Sequence, residues 1–291
     1  MKRATRILAA LLCVLLLLPT VAFAEAQPSL EKQIAQSAEG MSALGGKKGE
    51  LLKDRELFPA GDSVCDWLAI AMALSGTRES YSDYLAELKA HVEDAYAKNG
   101  CLDRNKATEY HRISLTVLAL GGNPTNFGTK PDGSAIDLIA EGTYNYARDP
   151  GAQGLNGWIW ALLTLDAGDT EVPADALYSR EDMVNAISVA QEPDGGFGLI
   201  PGKSDVDITA MAVQALAPYR DQMETEIDAA LTYLSSQLTD TCGYIAYGDE
   251  NAESTAQVIL ALCALGIDPE TDSRFVKGEH TLLTELSQFR E

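Results

Sequence analysis

Asp205-Val206-Asp207 sets two carboxyl groups two residues apart at the threshold of an apolar, alanine-rich run, Ile208 to Leu216. A carboxylic acid placed there could donate a proton, provided that burial and the neighbouring carboxylate keep it protonated at neutral pH. Glu253 precedes a second run of the same kind, Thr255 to Leu265. Asp207 and Glu253 together could flank a glycosidic bond, at about 5 Å for one hydrolytic mode and about 6.5–9.5 Å for the other. Glu109-Tyr110-His111-Arg112 gathers acid, phenol, imidazole and guanidinium in one stretch. Asp240-Thr241-Cys242 spaces a carboxylate and a thiol for zinc chelation, which would require a third protein ligand. His280 is the only histidine downstream. The same residues admit plainer roles. Ser204 can cap a helix that carries Asp207 at its third position, an approximate capping box. Glu109 to Arg112 can be a hydrated first helical turn, and Cys242 a buried thiol or half of a disulfide.

The elements that must position these residues repeat along the chain. Five segments, MALSG, LALGG, LTLDAG, QALAP and LALCALG, close on Leu74, Leu120, Leu165, Leu216 and Leu262, at spacings of 46, 45, 51 and 46 residues. A period of that size signals a repeat architecture with two helices per unit. Each leucine ends a run with little polar interruption, the mark of a buried helix. The stretches between, Ser80 to Lys98, Ser134 to Ala147, Ser179 to Gln191, Glu224 to Gln237 and Ser273 to Gln288, are amphipathic and read as outer partners. β-Strands have almost no support, because no window alternates with period two between hairpin turns. The expected fold is all-α, with helical hairpins forming a solenoid or a closed ring.

Nine residues before each leucine stand Cys65, His111, Asn156, Asp207 and Glu253, equivalent positions that a ring would place on one rim at the N-terminal ends of the inner helices. Trp67 and Trp158 fall two residues later in their repeats, with Trp160 close by. Acids beside aromatic rings suit a cationic or sugar ligand, while core packing is the plain role of the tryptophans. Tyr244, Tyr247 and Phe197 in the connectors read as structural, their rings locking outer to inner helices.

Composition removes other classes of function. The 291 residues hold 22 Lys and Arg against 43 Asp and Glu, for a formal charge of −21. Nucleic-acid binding and docking on acidic lipid are poor readings for such a chain. The three histidines are far apart and offer no clustered metal site, so no cofactor is expected. Residues 1–24 have basic residues, an apolar run and Ala22-Phe23-Ala24, the layout of a cleaved secretory leader. The run is shorter than the roughly 20 residues a membrane span needs, so no transmembrane anchor is expected after cleavage. The product is expected to be secreted. Cys65, Cys101, Cys242 and Cys263 then remain, and the three possible pairings stay open.

Gln191-x3-Gly195-x-Phe197 after an outer helix, followed by Asp205-x-Asp207-x-Thr209-Ala210 opening an inner one, resembles the α/α toroids of the squalene/terpene cyclase and protein prenyltransferase superfamily. The Leu265 to Phe275 segment is similar to exported bacterial proteins with these repeats. The resemblance covers roughly residues 60 to 290, and it implies an α/α toroid of about five to six helical hairpins around a central cavity. Residues 25–59 would be an N-terminal segment with one helix, and 60–291 the repeat domain. The chain stops after an outer helix, so the last inner helix is expected to be missing.

By resemblance to class II cyclases, Asp207 would be the proton donor, with Asp205 beside it; Ile208 stands where that motif has a further Asp. By resemblance to prenyltransferase β subunits, Asp240 and Cys242 would be zinc ligands, with His280 a weak third. The leading expectation is a non-catalytic module that binds a small molecule or cell-surface partner at a rim containing Trp67, His111, Asn156, Trp158 and Glu253. The alternative is an enzyme, either a cyclase-like acid catalyst using Asp207 or a glycan-cleaving one using Asp207 with Glu253.

Overall fold

Ala and Leu dominate the runs that end at the five leucines, and each run folds as a helix, as their high helix propensity favours. In the computed structural model, which describes residues 29–44, 49–246 and 248–289, these inner helices are α2 (Ser63–Leu74), α4 (Ala107–Ala119), α6 (Asn156–Ala167), α8 (Val206–Leu216) and α10 (Ala252–Leu265). Between and around them lie α1 (Leu30–Ala43), α3 (Tyr81–Asn99), α5 (Leu138–Gly142), α7 (Arg180–Ser188), α9 (Glu224–Ser236) and α11 (Leu282–Gln288). The described chain is mostly helical, in agreement with the all-α expectation. No described helix is long and apolar enough to cross a membrane. The leader expected over residues 1–24 and the ring of Tyr247 fall outside the described residues.

Two compact units divide the described chain, one within residues 38–185 and one formed by residues 29–37 with 186–289. In the first unit α4 packs against both α2 and α6; in the second α8 packs on α10, with α9 against α8. Ala210, Ala212 and Ala215 of α8 are completely buried, as are Val213 and Leu216. The alanines keep the helix slim enough for a close neighbour, and each larger aliphatic stabilises the unit by about 1.5–3 kcal/mol on burial.

Two outer helices differ from expectation. The segment from Ser134 to Ala147 yields only α5, because Asp137 caps the helix late, accepting from the Ala140 amide at 2.9 Å, and the chain leaves helical geometry at Thr143. The segment from Ser273 to Gln288 first makes a hairpin, β5 (Val276–Lys277) with β6 (His280–Thr281), and only then α11. Gly278 takes a φ of +63° at the turn, a conformation glycine adopts without a Cβ penalty. Thr281 and Thr284 then close a capping box that starts α11.

Two similar hairpins precede inner helices: β1 (Phe197–Ile200) with β2 (Lys203–Asp205), and β3 (Ile245–Ala246) with β4 (Asp249–Glu250). These short strands are elements for which the sequence offers almost no support, and the described chain remains mostly helical. At two to four residues they are too short for alternation to register in a sequence.

Candidate functional site

The Asp-x-Asp-x-Thr stretch is assembled largely by local hydrogen bonds. Asp205, not Ser204, is the N-cap of α8, its Oδ1 accepting from the Ile208 amide at 3.0 Å. Ser204 instead donates its hydroxyl to Asp194 at 2.6 Å. Thr209 fastens the helix to its hairpin, donating to the Asp205 carbonyl at 2.6 Å and accepting from the Phe197 amide at 2.8 Å. One repeat later Asn251 caps α10 through the Ser254 amide at 2.9 Å, and Thr255 donates to the Asn251 carbonyl at 3.0 Å. Caps of this kind satisfy helix N–H groups that would otherwise lack partners. They account for Asp205 and Thr209 without any chemistry, and leave Asp207 over.

Asp207 is half-buried in the first turn of α8. Its Oδ1 is buried and receives no hydrogen bond. Burial pushes its carboxyl above the ordinary range; the Ser254 hydroxyl opposes this, and the charges of Asp205 and Glu253 add to it. Glu253 occupies the equivalent place on α10 and is exposed, as is Asp205. The N-terminal ends of α8 and α10 thus present an acidic edge, with one acceptor oxygen that no protein donor reaches. Helix N-termini favour negative charge there.

Two of the equivalent positions in the other unit, Cys65 and His111, are used internally. The Cys65 thiol lies 3.9 Å from the Leu57 carbonyl, and burial together with Asp62 and Asp66 pushes it up to about 12. His111 is buried, and its Nε2–H donates to the Gly142 carbonyl at 2.6 Å. That bond places the lone pair on Nδ1, which has no partner. Burial holds the imidazole down at about 4, so it is neutral at physiological pH. Its neighbours in sequence point to different tasks. Tyr110 accepts from the Leu102 amide at 3.0 Å, while Arg112 donates to Asp66 at 2.9 Å and pairs with Glu109 at 2.8 Å. Glu109 to Arg112 is therefore not one catalytic cluster.

Asn156 begins α6 with a buried, unpartnered Oδ1. It lines a surface hollow of about 200 Å³ with Lys106, Glu109 and Gln153. Trp67 meets Trp160 with ring centroids 5.3 Å apart, joining α2 to α6, and Trp158 stands edge-on to Tyr178 at 5.2 Å. The tryptophans therefore contact aromatic neighbours, and none of the three lines that hollow.

No protein-family model matches the chain. No curated protein is significantly similar to it either.

The residues read as zinc ligands do not fit a zinc site. Asp240 is fully exposed with Oδ1 3.6 Å from the Lys277 Nζ, and the Cys242 thiol donates to the backbone carbonyl of His280 at 3.2 Å. His280 itself lies in β6 rather than in an outer helix. Among the described residues no three metal-ligating side chains converge. Cys65, Cys101, Cys242 and Cys263 are all unpaired, so none of the open disulfide pairings is formed.

A carboxyl pair, half-buried Glu250 with buried Glu285, carries no signature in the sequence. Glu285 lies in a short helix and Glu250 in a two-residue strand, and neither setting carries a periodic signal.

Proposed function

We propose that this chain is an exported binding module of the α/α-toroid type, related to the cyclase and prenyltransferase superfamily and without catalytic activity of its own. Its ligand would dock at the N-terminal ends of α8 and α10. The observation that carries this reading is the Asp207 Oδ1, a buried acceptor with no protein donor, flanked by the exposed carboxylates of Asp205 and Glu253. An acceptor so placed is satisfied by a donor brought from outside, and a cation or a hydroxyl-rich ligand supplies one. Leu199 and Ile245 are exposed on the hairpins that lead into these two helices, and add apolar surface for a partner. Calorimetric titration with choline, a lysine-rich oligopeptide and neutral oligosaccharides tests the proposal. Saturable binding of one of these, weakened about tenfold or more in Asp207→Ala with the helical spectrum unchanged, supports it. Binding indifferent to both Asp207→Ala and Glu253→Gln removes it.

One observation favours a second reading. The raised carboxyl of Asp207 is what a cyclase-like acid requires, since only the protonated form donates. Incubation with linear isoprenoids and their epoxides would then give cyclised product in the wild type and none in Asp207→Asn. Turnover retained in that variant eliminates acid catalysis by this residue.

A further inference from the structure

Glu285 is 2% exposed although it is an acidic residue in a short terminal helix. It projects from α11 onto the connector that runs from Thr239 to Gly243. A Cβ built on Gly243 would sit 2.9 Å from the Glu285 Cγ, 3.2 Å from its Oε1 and 3.3 Å from the Glu250 Oε1. The glycine therefore clears the floor on which two carboxyl groups from different elements converge. Donors surround the pair unequally. Thr241 donates its hydroxyl to the Glu250 Oε1 through a short hydrogen bond, whereas the Gln288 amide donates to the Glu285 Oε2 at 3.0 Å. Among the described residues no cation faces Glu285. Lys277 is turned to the Leu238 carbonyl at 2.9 Å and to Asp240 at 3.6 Å. The other titratable groups described on the packed elements are Asp249 on β4, Glu253 and Cys263 on α10, Cys242 and Tyr244 on and after the connector, and Glu279 and His280 on the β5–β6 hairpin. Cys242 interacts with Glu285, and burial pushes its thiol up, so it stays neutral.

We infer that Glu250 and Glu285 form a proton-dependent latch, in which one shared proton holds α11 and the β5–β6 hairpin against the β3–β4 connector and its loss to solvent loosens them. Two carboxylates this close, with no described cation between them, cannot both ionise without strong repulsion. Burial, aided by Glu250, raises the Glu285 carboxyl to about 7, while the Thr241 and Thr239 hydroxyls hold Glu250 below its ordinary value. Glu250 is thus the carboxylate and Glu285 the acid. With its proton Glu285 donates to Glu250; above neutrality the pair carries two charges and α11 is repelled from its seat. The C-terminal segment is accordingly docked in acid and loosened in base.

Amide hydrogen exchange on the full chain, corrected for the intrinsic pH dependence of exchange, tests the latch. Between pH 5.5 and pH 8.5 the amides of Leu283 to Gln288 should lose about tenfold or more in protection, while Val258 to Leu262 in α10 keep theirs. Glu285→Gln should remain protected at both values. Equal protection of wild-type α11 at the two values, or an equal loss in Glu285→Gln, overturns the inference. Should Glu285→Gln fail to dock α11 even at pH 5.5, Glu250→Gln decides: the midpoint of the wild-type transition must move to lower pH, and an unmoved midpoint overturns the latch.

Discussion

The Nε of Arg112 donates to the Oδ2 of Asp66 across 2.9 Å, and both side chains are withdrawn from solvent. Asp66 also accepts from the Tyr84 hydroxyl at 2.7 Å and the Gly61 amide at 3.0 Å, and Arg112 donates to the Gly61 carbonyl at 2.9 Å. One carboxylate from α2 and one guanidinium from α4 thereby fix two inner helices and the loop before them. Removing a single partner leaves a buried charge uncompensated, at a cost of about 3–5 kcal/mol. Arg112→Ala should therefore lower the denaturation midpoint sharply. The double replacement Asp66→Asn with Arg112→Met should recover a good part of the loss, and a double variant as unstable as the sum of the singles would contradict this account.

Gly157 marks the tightest approach in the first unit. A Cβ there would lie 1.7 Å from the Pro150 carbonyl oxygen, and backbone rather than a flexible side chain would have to move. Gly157→Ala is expected to cost about 3 kcal/mol, read as a shift in the urea midpoint. A variant of wild-type stability would mean that the loop before α6 is free to adjust.

Gly195 and Cys242 occupy corresponding places in successive connectors, before Gly196-Phe197 and Gly243-Tyr244, and both are left-handed, with φ of +87° and +64°. The cysteine carries a penalty of about 1–2 kcal/mol for that conformation. Cys242→Gly relieves it while losing a buried thiol, so its stability should stay within about 1 kcal/mol of the wild type. Gly195→Ala gains strain and also brings its Cβ to 2.6 Å from the Ala229 carbonyl oxygen. It should be the worse variant by about 2 kcal/mol or more. Chemical denaturation of the pair would refute the correspondence if the order were reversed.

His111 and Glu285 should tilt stability in opposite directions with pH. His111 has a folded value of about 4, below its ordinary 6.5, so the unfolded chain binds more protons there and stability falls as pH drops from about 6.5 toward 4. Glu285 has a folded value of about 7, above its ordinary 4.5, so the folded chain holds the proton and stability falls as pH rises from about 4.5 to 7. Each effect is on the order of 3 kcal/mol at full extent. Relative to wild type, Glu285→Gln should gain stability progressively above pH 5, and His111→Asn should gain it below pH 6. Parallel stability curves for wild type and variant would remove the corresponding assignment.

The helices were legible in the sequence because burial is written into composition: a run such as Ile208 to Leu216 has so few polar groups that only the interior of a helical protein can hold it. The two short outer elements were not, since Asp137 and the Lys277-Gly278-Glu279-His280 turn redirect the chain by local hydrogen bonds and one left-handed glycine rather than by periodicity. The repeat also located Asp207 and Glu253 at equivalent helix starts. It could not tell which of five equivalent positions would face solvent.

That choice belonged to tertiary structure. Cys65, His111 and Asn156 share a repeat position with Asp207, yet the Leu57 and Gly142 carbonyls engage the first two while Asn156 and Asp207 each keep a buried oxygen without a donor. The pairing of Glu250 with Glu285 was likewise decided only when α11 folded back over Gly243. Sequence alone established the helical repeat, the acidity and the candidate residues, because these depend on residue type and spacing. Exposure, protonation and pairing depend on what lies across from a side chain, and residues distant in the chain supply that.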